Sequence, residues 1–86
     1  MSGVPDAEVD ALGLLCPLPV LRAAAEARRQ PPGALIAVLV DDPEAPRDVE
    51  AWCAGNGHGL EGVLPLPSPP GRPAWKLLVR LGAPAG

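Results

Sequence analysis

The stretch Gly13-Leu14-Leu15-Cys16-Pro17-Leu18-Pro19 decides the fold, because a strand pattern ends before it and a helix pattern begins within it. Residues 20–30 are rich in alanine and free of glycine and proline until Pro31-Pro32-Gly33. Proline breaks a helix interior but is tolerated in the first turn, where N–H groups have no intrahelical acceptor. The spacing therefore predicts Pro17 as the first helical residue, Pro19 as the third and Cys16 at the cap. A helix start favours an anion, so a thiol placed there is expected to ionise easily. The two prolines remove donors from that turn and leave Leu18 as the main free N–H beside the sulfur. That is too few for a phosphate cradle and suits one sulfur atom better. The competing reading is a small buried apolar cysteine. Leu14, Leu15 and Leu18 favour burial, whereas Gly13 and the prolines favour the reactive thiol.

Upstream, Ala7-Glu8-Val9-Asp10-Ala11 alternates with the period of a half-buried strand. Gly13 permits the bend that follows. Downstream, Val20, Leu21, Ala24 and Ala27 form one helical stripe, opposite Arg22, Glu26, Arg29 and Gln30. Arg28 and Arg29 complement the dipole in the last turn and read as a solvated face. Residues 34–40 are an unbroken apolar run, as expected of a central strand. Strand, helix and strand make a right-handed βαβ unit with parallel strands. Cys16 then lies beyond the carboxyl end of the first strand, where such folds place their sites.

A second helix is expected from Pro46 to about Gly55, with Val49, Trp52 and Cys53 on one face and Ala45 and Asn56 extending it. Cys53 reads as core, with a resolving thiol for Cys16 as the alternative. Asn56-Gly57-His58-Gly59 ends that helix, and His58 reads as a local hydrogen-bonding residue there. Residues 60–66 form a weaker strand interrupted by Gly62 and closed by Pro65, and the proline-rich loop 67–73 reads as a hairpin connection. In Trp75-Lys76-Leu77-Leu78-Val79-Arg80-Leu81, the odd positions are apolar and Lys76 and Arg80 point to water. The expected order is βαβαββ, a two-layer α/β (α+β) sandwich. It has a four-stranded mixed sheet with two helices on one face, because each helix has one apolar stripe to bury. A single domain over 1–86 is expected, with a core of about 7–81, a loose start at 1–6 and a frayed tail at 82–86. The apolar second strand leaves room for a partner on the open sheet face, so monomer and weak oligomer both fit.

Composition narrows the function. Seven basic and ten acidic residues give a net charge of −3, and two tryptophans are the only aromatic residues. Neither a basic patch nor a stacking platform is available, so no direct nucleic-acid ligand is expected. Two distant cysteines and one histidine do not make a disulfide framework or a zinc site, and no metal or other cofactor is expected. No apolar run reaches the length of a membrane span and no signal-peptide pattern opens the chain. The expected location is the cytoplasm, without membrane attachment.

The run Val9-Asp10-Ala11-Leu12-Gly13-Leu14-Leu15-Cys16-Pro17-Leu18-Pro19-Val20 resembles the signature of the TusA (SirA-like) family of small sulfur carriers, with its Cys-Pro-x-Pro motif. A second block, Asp41-Asp42-Pro43 through Arg47-Asp48-Val49, Trp52-Cys53 and Gly57-His58-Gly59-Leu60, is similar to the family's second-helix region. The resemblance spans residues 8–81 and implies a four-stranded mixed sheet under two helices. It implies that Cys16 accepts sulfane sulfur as a persulfide from a cysteine desulfurase or rhodanese-like donor. A sulfur-acceptor protein then receives it, in tRNA thiolation, cofactor synthesis or sulfur oxidation. This makes the chain a sulfurtransferase that acts as a stoichiometric carrier. Gly13, Pro17, Leu18 and Pro19 would support the site. Leu15 and Leu18 replace charged residues that many members carry, which bears on the choice of partner. Two other classes compete: a non-catalytic protein- or RNA-interaction module of the same fold, and a thiol oxidoreductase pairing Cys16 with Cys53.

Overall fold

Alternating strand segments and two proline-opened helices produce six elements, in the order β1 (Ala7–Asp10), α1 (Leu18–Ala27), β2 (Leu35–Val40), α2 (Ala45–Asn56), β3 (Gly59–Leu66) and β4 (Ala74–Arg80). The computed structural model describes residues 4–82. Residues 1–3 of the expected loose start and 83–86 of the expected frayed tail lie outside the described residues. Asp6, however, exchanges hydrogen bonds of 2.7 and 2.8 Å with Leu35, and Gly82 donates to His58, so the chain is already tied down at those two positions. The strands form one mixed sheet in the order β1-β2-β4-β3. β1 pairs parallel to β2, while β4 pairs antiparallel to both β2 and β3. This is the expected βαβαββ arrangement.

The register assigns the two faces of the sheet. Val9, Val38 and Leu77 lie in one row, and Ala7, Ile36, Val79 and Leu60 in the next. These residues meet Ala23 of α1 and Val49 and Cys53 of α2 in one cluster, so both helices cover the same face. Each large aliphatic side chain fully buried there, such as Ile36 or Leu77, contributes about 1.5–3 kcal/mol of transfer free energy. The opposite face carries Glu8, Asp10, Ala37, Leu39, Lys76, Leu78 and Arg80. Glu61 is the extra residue of a bulge between Leu60 and Gly62, and its carboxylate pairs with the Arg80 guanidinium at 3.2 Å. Pro65 is accommodated because β3 is an edge strand.

The stripe of α1 differs from its sequence reading. Pro19 and Ala23 are the buried positions, with Val20 and Ala27 packed beside them, whereas Leu21 is 56 % exposed. α2 follows its expected face at Ala45, Val49 and Cys53, which are buried, and at Trp52, which is half-buried. Asn56, expected to extend that face, is instead exposed and donates to the Trp52 carbonyl at 2.9 Å. Gly57 closes it at φ 74°, a left-handed conformation that glycine adopts without a Cβ penalty.

Candidate functional site

The carboxyl ends of β1 and β2 lie side by side, so the loops that leave them meet. The first is the cysteine loop, residues 11–17. The second is the acidic turn Asp41-Asp42-Pro43-Glu44. The meeting is held by carboxylates that accept main-chain N–H groups. Asp10 Oδ1 accepts from Leu12 at 3.1 Å, and both carboxylate oxygens of Asp41 lie 3.0 Å from the Gly13 nitrogen. Asp42 Oδ2 accepts from the Cys16 N–H at 2.9 Å while its Oδ1 accepts from Glu44 at 3.0 Å. Gly13, at φ 80°, makes the bend that turns its own N–H toward Asp41.

α1 begins at Leu18 with Pro17 at its cap, and the Cys16–Pro17 peptide is cis. Cys16 thus stands one residue before the cap, and Pro19, not Pro17, is the proline inside the first turn. The Leu18 N–H is not free for the sulfur: it donates to the Leu15 carbonyl at 2.9 Å. Both changes weaken the helix start as an anion site, because its influence fades within the first turn.

The charges around the thiol act in the other direction. The Asp48 carboxylate, which favours the protonated S–H, is the largest influence, followed by slight desolvation and then by the charges of Asp48, Asp42 and Glu44. Together they push the Cys16 thiol above its ordinary range, where the sequence reading expected it below. Asp42 is held below the usual carboxylate range by the N–H groups of Glu44 and then of Cys16. Asp48 sits in the first turn of α2, and its Oδ2 is shielded from solvent with no hydrogen-bond donor.

Cys16 is exposed and Cys53 is buried. Exposed leucines surround the first in sequence: Leu12 at 42 %, Leu15 at 70 %, Leu18 at 44 % and Leu21. Leu14 packs on the core instead, so the leucines divide between rim and interior. His58 is placed away from this loop. Its Nδ1 accepts from the Gly82 N–H at 3.0 Å and its ring lies 4.8 Å from that of Trp52. Those two rings line a cavity of about 360 Å³ at the other end of the helix pair, near Arg28 and Gln30. The loop that carries Gly13, Cys16, Pro17, Leu18 and Pro19 is therefore tied to Asp10 at the end of β1 and to Asp41 and Asp42, which sequence reasoning left as turn residues. The available signal was topological: parallel neighbours in a βαβ unit bring Asp41 and Asp42 beneath the loop that follows β1.

Residues 7–66 match the family model described as Sulfurtransferase TusA. The chain is 44 % identical over 55 residues to the sulfur carrier protein TusA of Pseudomonas syringae pv. syringae (strain B728a), a stretch covering 64 % of this chain and 66 % of that relative. It thus spans just under two thirds of that relative's length. The crystal structure of the SirA-like protein from Desulfitobacterium hafniense superposes with a TM-score of 0.67 at 26 % identity, over 88 % of this chain and 97 % of that one. With the family model matched over well more than half its length, the chain belongs to the TusA family of sulfurtransferases.

Proposed function

We propose that the protein carries sulfane sulfur as a persulfide on Cys16, taking it from a donor protein and passing it to an acceptor. The observation behind this reading is the contrast in access between its two thiols: Cys16 is exposed on a loop whose main chain is anchored, and Cys53 is buried. Family membership supplies the sulfur-transfer role. Transfer between proteins requires a thiol that another active site can reach, and it needs neither an oxyanion hole nor a metal. Gly13, Pro17 and Pro19 shape the loop, and Leu15, Leu18 and Leu21 supply apolar area for a partner to cover.

The same surroundings describe that partner. Exposed leucines beside Asp41, Asp42 and Glu44 favour a docking surface with an apolar centre and basic margins. A cysteine desulfurase or rhodanese-like protein fits as donor, and a thiolating enzyme of a cytoplasmic relay, such as one modifying tRNA, fits as acceptor. The whole chain acts as one unit in this reading. No helix among the described residues is long and apolar enough to cross a membrane.

The test is transfer from a desulfurase and cysteine to the protein, followed by mass spectrometry of the Cys16→Ser and Cys53→Ala variants. The expected result is a gain of one sulfur atom in Cys53→Ala and none in Cys16→Ser. Loading that survives in Cys16→Ser would overturn the assignment.

A further inference from the structure

The last turns of α1 and α2 and the chain that follows β4 enclose a cavity of about 360 Å³, within the size range of small-ligand sites. It lies at the opposite end of the helix pair from Cys16. Helix ends expose carbonyls, but here several are already satisfied. Those of Ala24 and Ala27 accept from Arg28 and Gln30, and that of Cys53 accepts from Gly57 and His58. Side chains therefore set what the cavity can recognise.

Two of those side chains are rings. His58 stands 4.8 Å from the half-buried Trp52, with the ring planes inclined by 51°. His58 Nδ1 accepts from the Gly82 N–H, and an imidazole that accepts there carries its proton on Nε2. Among the described residues that second nitrogen has no partner. The exposed Arg28 guanidinium likewise has neither an ion pair nor a hydrogen bond among them. No carboxylate stands among the lining residues, so the cavity offers a cation without a counter-charge in a chain whose net charge is −3. The amide nitrogens of Gln30 and Asn56 are spent on Glu26 and on the Trp52 carbonyl, which leaves their oxygens as the acceptors.

We propose that this cavity binds a small molecule built of a flat ring and one anionic group, a carboxylate or a phosphate. The ring packs against Trp52 and Leu81, and the anion meets the Arg28 guanidinium and the His58 Nε2–H. Each half needs the other. An exposed guanidinium alone holds a simple anion weakly, because water screens the pair. Apolar walls alone would not select for charge, whereas an aromatic ligand gains from stacking on the rings and fixes its anion at the arginine. The site stands apart from Cys16 and does not rest on the carrier reading.

Titration of the intact, isotope-labelled protein with benzoate, phenyl phosphate, benzamide and acetate, followed by two-dimensional NMR, tests this. Saturable shifts of the Trp52 indole N–H and the Gly82 amide are expected with the aromatic anions, and the tighter of the two identifies the anionic group. Benzamide keeps the ring without the charge and acetate keeps the charge without the ring, so each should bind severalfold more weakly. Arg28→Gln should weaken the aromatic anions severalfold, the scale of a partly exposed ion pair, and leave benzamide unchanged. Arg29→Gln, next in sequence but outside the cavity lining, should alter neither. The proposal is overturned if neither aromatic anion gives saturable shifts at Trp52 and Gly82, or if benzamide or acetate binds as tightly. Equal weakening by Arg29→Gln and Arg28→Gln would overturn it as well, since the attraction would then be that of the surface as a whole.

Discussion

The two cysteines of this chain meet opposite environments and shift the same way. Cys53 lies 2 % exposed between α2 and the sheet, and burial pushes its thiol up to about 11. Cys16 stands in solvent on the loop after β1, and carboxylates push its thiol up. Desolvation disfavours the thiolate in the first case; in the second the Asp48 carboxylate favours the protonated thiol, with slight desolvation and like charge adding to it. What separates the two thiols here is therefore access.

That contrast breaks first, and most visibly, under alkylation. In the native protein Cys16 should react with iodoacetamide while Cys53 is protected by at least about 10²-fold, since its exposure requires opening of the core. Peptide mapping of the labelled protein checks this, and denaturant should equalise the two. Stability gives the next contrast. Cys53→Ser places a hydroxyl in the cluster of Val38, Val49 and Leu77 and should cost roughly 1–3 kcal/mol in urea unfolding, whereas Cys16→Ser should leave the midpoint in place.

Alkaline pH sharpens the comparison further. A thiol whose folded value lies above its unfolded one keeps its proton longer in the folded chain. Its contribution to stability is thus complete below the unfolded value near 9.0 and is lost as pH rises toward about 11. Urea midpoints measured across that window should fall, and the fall should be shallower in Cys53→Ala. The smallest effect is expected at Asp42. Its depressed carboxyl stabilises the turn above the ordinary carboxylate range and ceases to do so as acid protonates it. Asp42→Asn should speed hydrogen exchange of the Cys16 amide and leave the core amides unchanged.

Much of the fold can be read in the chain. The apolar run of β2, the alternation of β4, the prolines flanking the hairpin and Gly57 after α2 each encode one local outcome that packing preserved. α1 is the exception. Its leucines rank as more hydrophobic than its alanines, yet Pro19 and Ala23 are the residues buried, and Leu18 and Leu21 turn outward. The site is less legible than the fold. Cys16 is marked by its glycine and prolines, but its main chain is held by Asp42, which stands 26 positions further along the chain. Local sequence predicts a helix dipole acting on a thiol. Tertiary structure moves that thiol one residue outside the helix and sets carboxylates beside it.

The most direct measurement is the pH dependence of Cys16 alkylation in the intact, unsubstituted protein, read by peptide mapping so that Cys53 does not contribute. The account predicts a midpoint above that of an ordinary cysteine, with the thiol accessible throughout. A midpoint near or below neutrality would show a thiolate already formed at rest, and would contradict it.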